Sequence, residues 1–401
     1  MRCKLVLPFI LLVLAVSACS GNAASASPPP EESFVSNIVP SSSGQPPTPF
    51  PDTPSPPAID APLVENPSLL RLDMFNELDG WGVTETQIVR TNDGGLSWYN
   101  LTPPAMTETG YSVDAFFLDN EHAWVQKQDD EKFPNGGTLS RTADGGHTWM
   151  NFTVPFSRGD ISFLDANNGW MLAGLGVGAG SNAVAVFQTQ DGGATWERTY
   201  SNDPHDPKAG DSLPLGGLKA DLVALDMKTA WVTGLDYAPG DVYLYRTDDG
   251  GRSWTPVNIK IPPDMQESQM VIDKDQLKFV SATDGYLALR MSNNTMQTAV
   301  YFTQDAGNTW NLTPAILDGA GPSSFITTQD AVIYNGQKFL VTRDAARTWV
   351  EVAPDVSFGE TFVNMEFVNP MTGWVITMDP SNHRSLYRTL DGGSTWLPVV
   401  P

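Results

Sequence analysis

One eight-residue pattern recurs seven times and constrains the chain more than any other feature. It reads Thr-x-Asp-Gly-Gly-x-Ser/Thr-Trp. The copies run from Thr91 to Trp98, Thr142 to Trp149, Thr189 to Trp196, Thr247 to Trp254, Thr303 to Trp310, Thr342 to Trp349 and Thr389 to Trp396. The fifth loosens to Asp305-Ala-Gly and the sixth to Asp344-Ala-Ala. Asp can accept hydrogen bonds from the backbone of its own turn, and Gly supplies positive φ, so the core of the pattern reads as a tight turn. The Trp that follows anchors the next strand by burying a large ring.

The repeat aspartates Asp93, Asp144, Asp191, Asp249, Asp305, Asp344 and Asp391 stand roughly 40 to 60 residues apart, the size of one four-stranded blade in an all-β repeat protein. A second motif precedes each box, as in Asp79-Gly-Trp81-Gly-Val83 or Met371-Thr-Gly-Trp374-Val375, and is degenerate only at Asp330-Ala-Val332-Ile333. Upstream of it lies a short alternating run such as Val113 to Leu118. Each unit therefore reads as strand a, a polar turn, strand b carrying Trp, a variable loop, strand c, the Asp-Gly-Gly turn and strand d. The expected fold is all-β, a seven-bladed β-propeller of four-stranded antiparallel blades over residues 65–401.

The 12 tryptophans agree with a structural role. Seven are the box residues Trp98, Trp149, Trp196, Trp254, Trp310, Trp349 and Trp396, and the other five are Trp81, Trp124, Trp170, Trp231 and Trp374 on strand b. None is left over as a ligand platform. Arg90, Arg141, Arg246 and Arg388 also recur, just before the box, and are expected to be structural.

The paired motifs resemble the Asp-box, or bacterial neuraminidase, repeat. Within that group the chain is similar to the photosystem II assembly and stability factor family, which shares Gly-Trp-x-Val followed by Thr-x-Asp-Gly-Gly-x-Thr-Trp. The resemblance implies a seven-bladed propeller whose Asp boxes are structural turns away from any active site. It also implies a chaperone-like binding module for membrane subunits that uses a basic surface patch. This chain departs from that last point. It carries 23 basic and 46 acidic residues, a net charge of −23, and its basic residues do not cluster. Such a field repels phosphate backbones and argues against a nucleic-acid partner.

Residues 1–18 read as a signal peptide, with Arg2 and Lys4 ahead of an apolar run from Leu5 to Val16 that is too short to span a bilayer. The run ends in Val16-Ser17-Ala18-Cys19, which resembles the bacterial lipobox. Cys19 is then the lipidated first residue of the mature chain, facing outside the cytoplasm on a bacterial cell membrane. The other cysteine, Cys3, is lost with the leader, so no disulfide is expected. Residues 19–64 are rich in Pro, Ser, Gly and Ala, with too little apolar periodicity to pack, and read as a tether. In extended form it could reach on the order of 100 Å.

In an antiparallel meander, the a–b and c–d turns share one face and the b–c and d–a loops the other. The long insertions fall on the second face, among them Gln126 to Thr138, Gly174 to Ala183, Thr199 to Lys219, Gly234 to Asp241 and Asn258 to Lys274. Variable loops on a rigid scaffold are where binding is expected. The candidate binding residues there are Asp129, Asp130, Glu131 and three aromatics expected to be exposed, Phe133, Tyr237 and Phe358. Catalytic constellations are missing. The Arg-Ile-Pro of sialidases is absent, the four histidines show no metal-ligand spacing, and Gly174 to Gly180 is not followed by a phosphate-cradling helix. No metal and no cofactor are expected. The reading is a monomeric, non-catalytic, extracytoplasmic scaffold for a protein or cell-envelope ligand. The alternative is a glycosidase using a carboxylate pair on the long-loop face, which no motif marks.

Overall fold

A computed structural model describes residues 59–104, 106 and 113–400. The leader, Cys19 and the greater part of the tether lie outside the described residues. Regular structure among the described residues is strand, apart from the 3-10 turns Pro263–Met265 and Gly359–Thr361.

The strands fall into seven antiparallel meanders of four, each a contiguous stretch of chain. In chain order their a strands are Leu69–Met74, Val113–Phe117, Gly159–Phe163, Leu218–Ala224, Leu277–Phe279, Ser323–Phe325 and Phe362–Phe367. The arrangement is that of a β-propeller, and it needs no strand exchange between the first and last units. Two additions depart from the simple repeat. Leu63–Val64 pairs with Tyr99 and Trp98 as a fifth strand on the first sheet, so the domain begins a few residues ahead of 65. Gln269–Val271, in the connection from the fourth unit to the fifth, pairs with the b strands of both and joins them into one nine-stranded sheet.

The repeated turn is held the same way in every copy. The Thr hydroxyl donates to the Asp Oδ1 at 2.8–2.9 Å. It accepts the N–H of the residue four places on at 2.9–3.0 Å. The same Oδ1 accepts the N–H of the following Ser or Thr at 2.9 Å. The first Gly of the pair, or Ala306 and Ala345 in its place, donates its N–H back to the a–b turn of its own unit, as from Gly94 to Leu78 O and Gly392 to Met371 O. This bond fixes both turns on one face. Ala306, Ala345 and Ala346 take the left-handed φ of the glycines they replace, at 56°, 59° and 60°, so the side-chain bonds hold the turn even where the backbone is strained.

Neighbouring units are locked through the strand-b tryptophans. Trp81 Nε1 donates to Asp119 O at 3.0 Å, Trp124 to Gly192 O at 2.9 Å and Trp170 to Asp226 O at 3.1 Å, in each case in the next unit. Trp374 of the last unit donates to Gly94 O of the first at 3.0 Å, so the ring closes by the contact that joins the first four units. Arg90, Arg141, Arg246 and Arg388 lie over the rings of Trp81, Trp124, Trp231 and Trp374 at 5.1–5.7 Å from ring centroid to Cζ, within reach of a cation–π contact. The expected structural role of these arginines and of the strand-b tryptophans is what the fold shows.

Trp374→Phe keeps the ring but strands the buried Gly94 carbonyl at the closure. It is expected to cost about 1–3 kcal/mol in urea unfolding, whereas Leu397→Ala, an exposed position, should change stability by less than about 0.5 kcal/mol.

Candidate functional site

The seven a strands are inner edges, and each leaves backbone N–H groups unpaired by its own sheet. Side chains of the preceding unit cap them. Asp114 Oδ2 accepts the Ile161 N–H at 2.7 Å, Asp221 Oδ2 the Asp275 N–H at 3.2 Å, Ser324 Oγ the Phe367 N–H at 3.1 Å and Glu366 Oε2 the Met74 N–H at 3.3 Å. Arg71 Nη2 works in the opposite sense, donating to Ala115 O at 2.6 Å. Residues alternate across a strand, so Arg71, Asp114 and Asp221 at one register position and Ser324 and Glu366 at the next alternate position share a side.

These edges enclose a cavity of about 430 Å³, lined by all seven a strands. That is within the size range of small-ligand sites. Its charged lining is Arg71, Asp73, Asp160, Asp221, Lys274, Asp275, Lys278 and Glu366. Arg71 Nε bonds Asp73 Oδ2 at 2.8 Å. Lys274 Nζ lies 2.5 Å from Asp160 Oδ1 and 4.0 Å from Asp114 Oδ1. Burial pushes the Asp114 carboxyl up to about 6 and the Asp221 carboxyl up to about 7, in each case reinforced by acidic neighbours. Burial and then Asp73 push Glu366 up to about 8. Burial alone would lower the Lys274 ammonium, but Asp114 and Asp160 carry it above the ordinary lysine range. Sequence reasoning missed this cavity. The available signal was the polar residue repeated at one position of strand a, as in Arg71, Asp114, Asp160 and Asp221.

The residues expected to bind do not form one site. Asp129 pairs with Lys132 at 2.8 Å and Asp130 lies 3.9 Å from Arg158. Phe133 is half-buried under the same Arg158, whose Cζ is 3.7 Å from the ring centroid, and Glu131 is exposed. This loop belongs to the second unit. Tyr237, 52% exposed, belongs to the fourth. Phe358 is a correction. It is 2% exposed and packs with Tyr334, Phe339 and Trp396, because the connection from the sixth unit folds back over the next interface and ends in the 3-10 turn Gly359–Thr361.

Several long insertions are likewise structural. Gly169–Gly178 and Ser181–Thr189 form an extended hairpin, so the Gly-rich stretch is mostly strand rather than flexible loop. The 199–219 connection buries Tyr200, Asn202 and Leu213. It ends on Lys219, whose ammonium is held by the carbonyls of Asn182, Leu215, Gly216 and Gly217 at 2.9–3.3 Å. In the 258–274 connection, Met270 and Ile272 are fully buried.

No family model matches the chain. A xyloglucanase of Hypocrea jecorina (strain QM6a) is 26% identical over 247 residues, 54% of this chain and 29% of that protein. The photosystem II assembly lipoprotein Ycf48 of Synechococcus sp. (strain CC9902) is 25% identical over 146 residues, 36% of this chain and 40% of that protein. The chain thus spans less than half the length of these curated relatives. Among solved structures, YCF48 bound to D1 peptide has a TM-score of 0.50 at 16% identity, covering 84% of this chain and 99% of that one. A GH74 xyloglucanase from Xanthomonas campestris has a TM-score of 0.53 at 13% identity, covering 85% and 55%. The class defined is a β-propeller of four-stranded antiparallel sheets. In sequence it is similar both to an assembly factor and to xyloglucanases.

The cavity carboxyls set an expected pH dependence. A carboxyl whose folded pKa is raised binds its proton more tightly in the folded state, so its stabilising effect is present at low pH and is lost as pH rises through the folded value. Asp114, Asp221 and Glu366 should together make stability fall between about pH 5 and 8. The repeat aspartate Asp391 acts oppositely. Burial alone would raise it, but the Thr395 N–H and hydroxyl and the Thr389 hydroxyl hold it low, so stability is also lost in strong acid. Melting temperature against pH should peak in mildly acidic buffer, and Glu366→Gln should flatten the decline on its alkaline side.

Proposed function

We propose that this protein is a non-catalytic, extracytoplasmic binding scaffold that presents its propeller to a protein segment at the mouth of the central cavity. The observation that carries this reading is the employment of the acids in and beside the cavity. Asp114, Asp221 and Glu366 cap backbone N–H groups of the next unit, and Asp73 and Asp160 are paired with Arg71 and Lys274. No acid–base pair is left disengaged among them. A solved neighbour described as YCF48 bound to D1 peptide supports a protein segment as the ligand class. The membrane attachment completes the reading: Cys19 carries the lipid, and the Pro-rich stretch links it to the propeller.

A second reading is favoured by one observation. Asp221 and Glu366 are cavity carboxyls whose pKa values are raised to about 7 and about 8, a property of the general acid in glycosidases, and two curated relatives are xyloglucanases. Capture and turnover separate the two. With a photo-crosslinking side chain at Ser162, which lines the cavity, the full chain in native membranes should form an adduct with a protein. The same side chain at exposed Leu390, within the c–d turn, should not. Hydrolysis of any member of a glycan panel, lost in Glu366→Gln or Asp221→Asn, would falsify the scaffold reading. For the anchor, Cys19→Ala should move the protein from the membrane fraction to the soluble one, and a variant that stays with the membrane would count against lipidation.

A further inference from the structure

Among the described cavity residues, Lys274 is a cation that the inner-edge pattern does not explain. It belongs to the approach to the fifth a strand, yet its ammonium lies against Asp160 of the third unit and near Asp114 of the second. The innermost strands of the second and third units adjoin, as do those of the third and fourth, and the fourth joins the fifth through Gln269–Val271. The lysine therefore reaches past the fourth unit to the far side of a seven-membered ring. Asp114 already has a structural partner in the Ile161 N–H. Asp160 has Lys274 as its only hydrogen-bond partner among the described residues.

One further feature marks the cavity as unfinished. Asn364 Oδ1 is buried without a hydrogen-bond partner and its residue lines the cavity. A buried acceptor left open in this way costs free energy until something occupies it. Asp221, by contrast, is already engaged by the Asp275 N–H. The Lys274 side chain is 44% exposed, and solvent screening weakens an ion pair that is this open on the lysine's side. Its backbone is pinned instead. Asp273 pairs with Arg290, Asp275 holds φ at 63° and donates to Asp221, and Gln276 bonds Ser323. The side chain can leave without the loop moving.

We propose that Lys274 is an internal stand-in for a ligand's basic side chain. It occupies a cation subsite formed by Asp160 and Asp114, and a protein segment carrying a lysine or arginine displaces it. This deepens the scaffold reading by naming the chemistry the cavity selects, and it rests on that reading for the identity of the ligand as protein. The subsite itself is testable without any partner.

The test is chemical rescue in the full chain. Lys274→Met should lower the melting temperature, and n-butylammonium should restore it saturably, with n-butanol ineffective. Wild type should show no such gain, and Lys274→Met combined with Asp160→Asn should lose the rescue. A second measurement keeps the idea open to refutation if Lys274→Met folds poorly. In wild type, methylguanidinium should accelerate acylation of Lys274 severalfold by mass spectrometry, while sodium chloride at equal ionic strength should not. Equal rescue by butanol, no rescue in a folded variant, or acylation indifferent to methylguanidinium would each overturn the subsite. Rescue with no protein adduct at Ser162 would leave the subsite standing and remove the scaffold reading instead.

Discussion

A ring of separate sheets depends on how each sheet is fixed to the next, since no hydrogen-bonded ladder runs around most of the circle. Here the joint is a buried indole. From the first unit to the fourth the strand-b Trp reaches into the next unit and donates to a turn carbonyl, and the final joint, Trp374 to Gly94, is of the same kind. Trp231 and Tyr286 of the fourth and fifth units join the next unit by ring packing on Phe279 and Phe325. The target carbonyls sit in or beside the repeated turns, so the Thr–Asp hydrogen bonds that hold those turns also place the acceptors. The sixth unit tests the scheme. Its strand b has Val332 in place of Trp, and its turn carries two alanines at left-handed φ. It is instead packed by the aromatic cluster of Tyr334, Phe339, Phe358 and Trp396.

The inner edges pose the opposite problem. Unpaired strand edges invite further pairing, and in a ring they converge on the axis. Capping them with Asp114, Asp221, Ser324 and Glu366 satisfies the backbone but concentrates carboxyls in a confined space. Desolvation and mutual repulsion then raise their pKa values. A perturbed carboxyl in a cavity is commonly a functional sign. Here the architecture alone is enough to produce it, and this is why raised pKa values do not by themselves select the glycosidase reading. Lys274 and Asp160 stand outside that architectural explanation.

Much of the scaffold was legible in the sequence. The period gave the units, the turn residues gave the shared face, and the fixed positions of Trp and Arg marked them as structural. The candidate site was barely legible. Asp129, Asp130, Glu131 and Phe133 read as a binding loop from position and charge; in the fold Asp129 pairs with Lys132 and Asp130 lies near Arg158. Phe358 reads as exposed because it lies in a connection, but this connection folds back onto the core. Length and composition of a loop do not reveal whether it packs, and the burial of Tyr200, Asn202 and Leu213 in the 199–219 connection makes the same point.

The sequence by itself determined the repeat, the turn chemistry and the strand order, because these rest on interactions within some eight residues and on a period visible along the chain. Only the tertiary structure decided that polar residues far apart in sequence meet at the axis. Asp114, Asp160 and Lys274 are brought together by the closure of a ring, and closure leaves no local mark on any one of them.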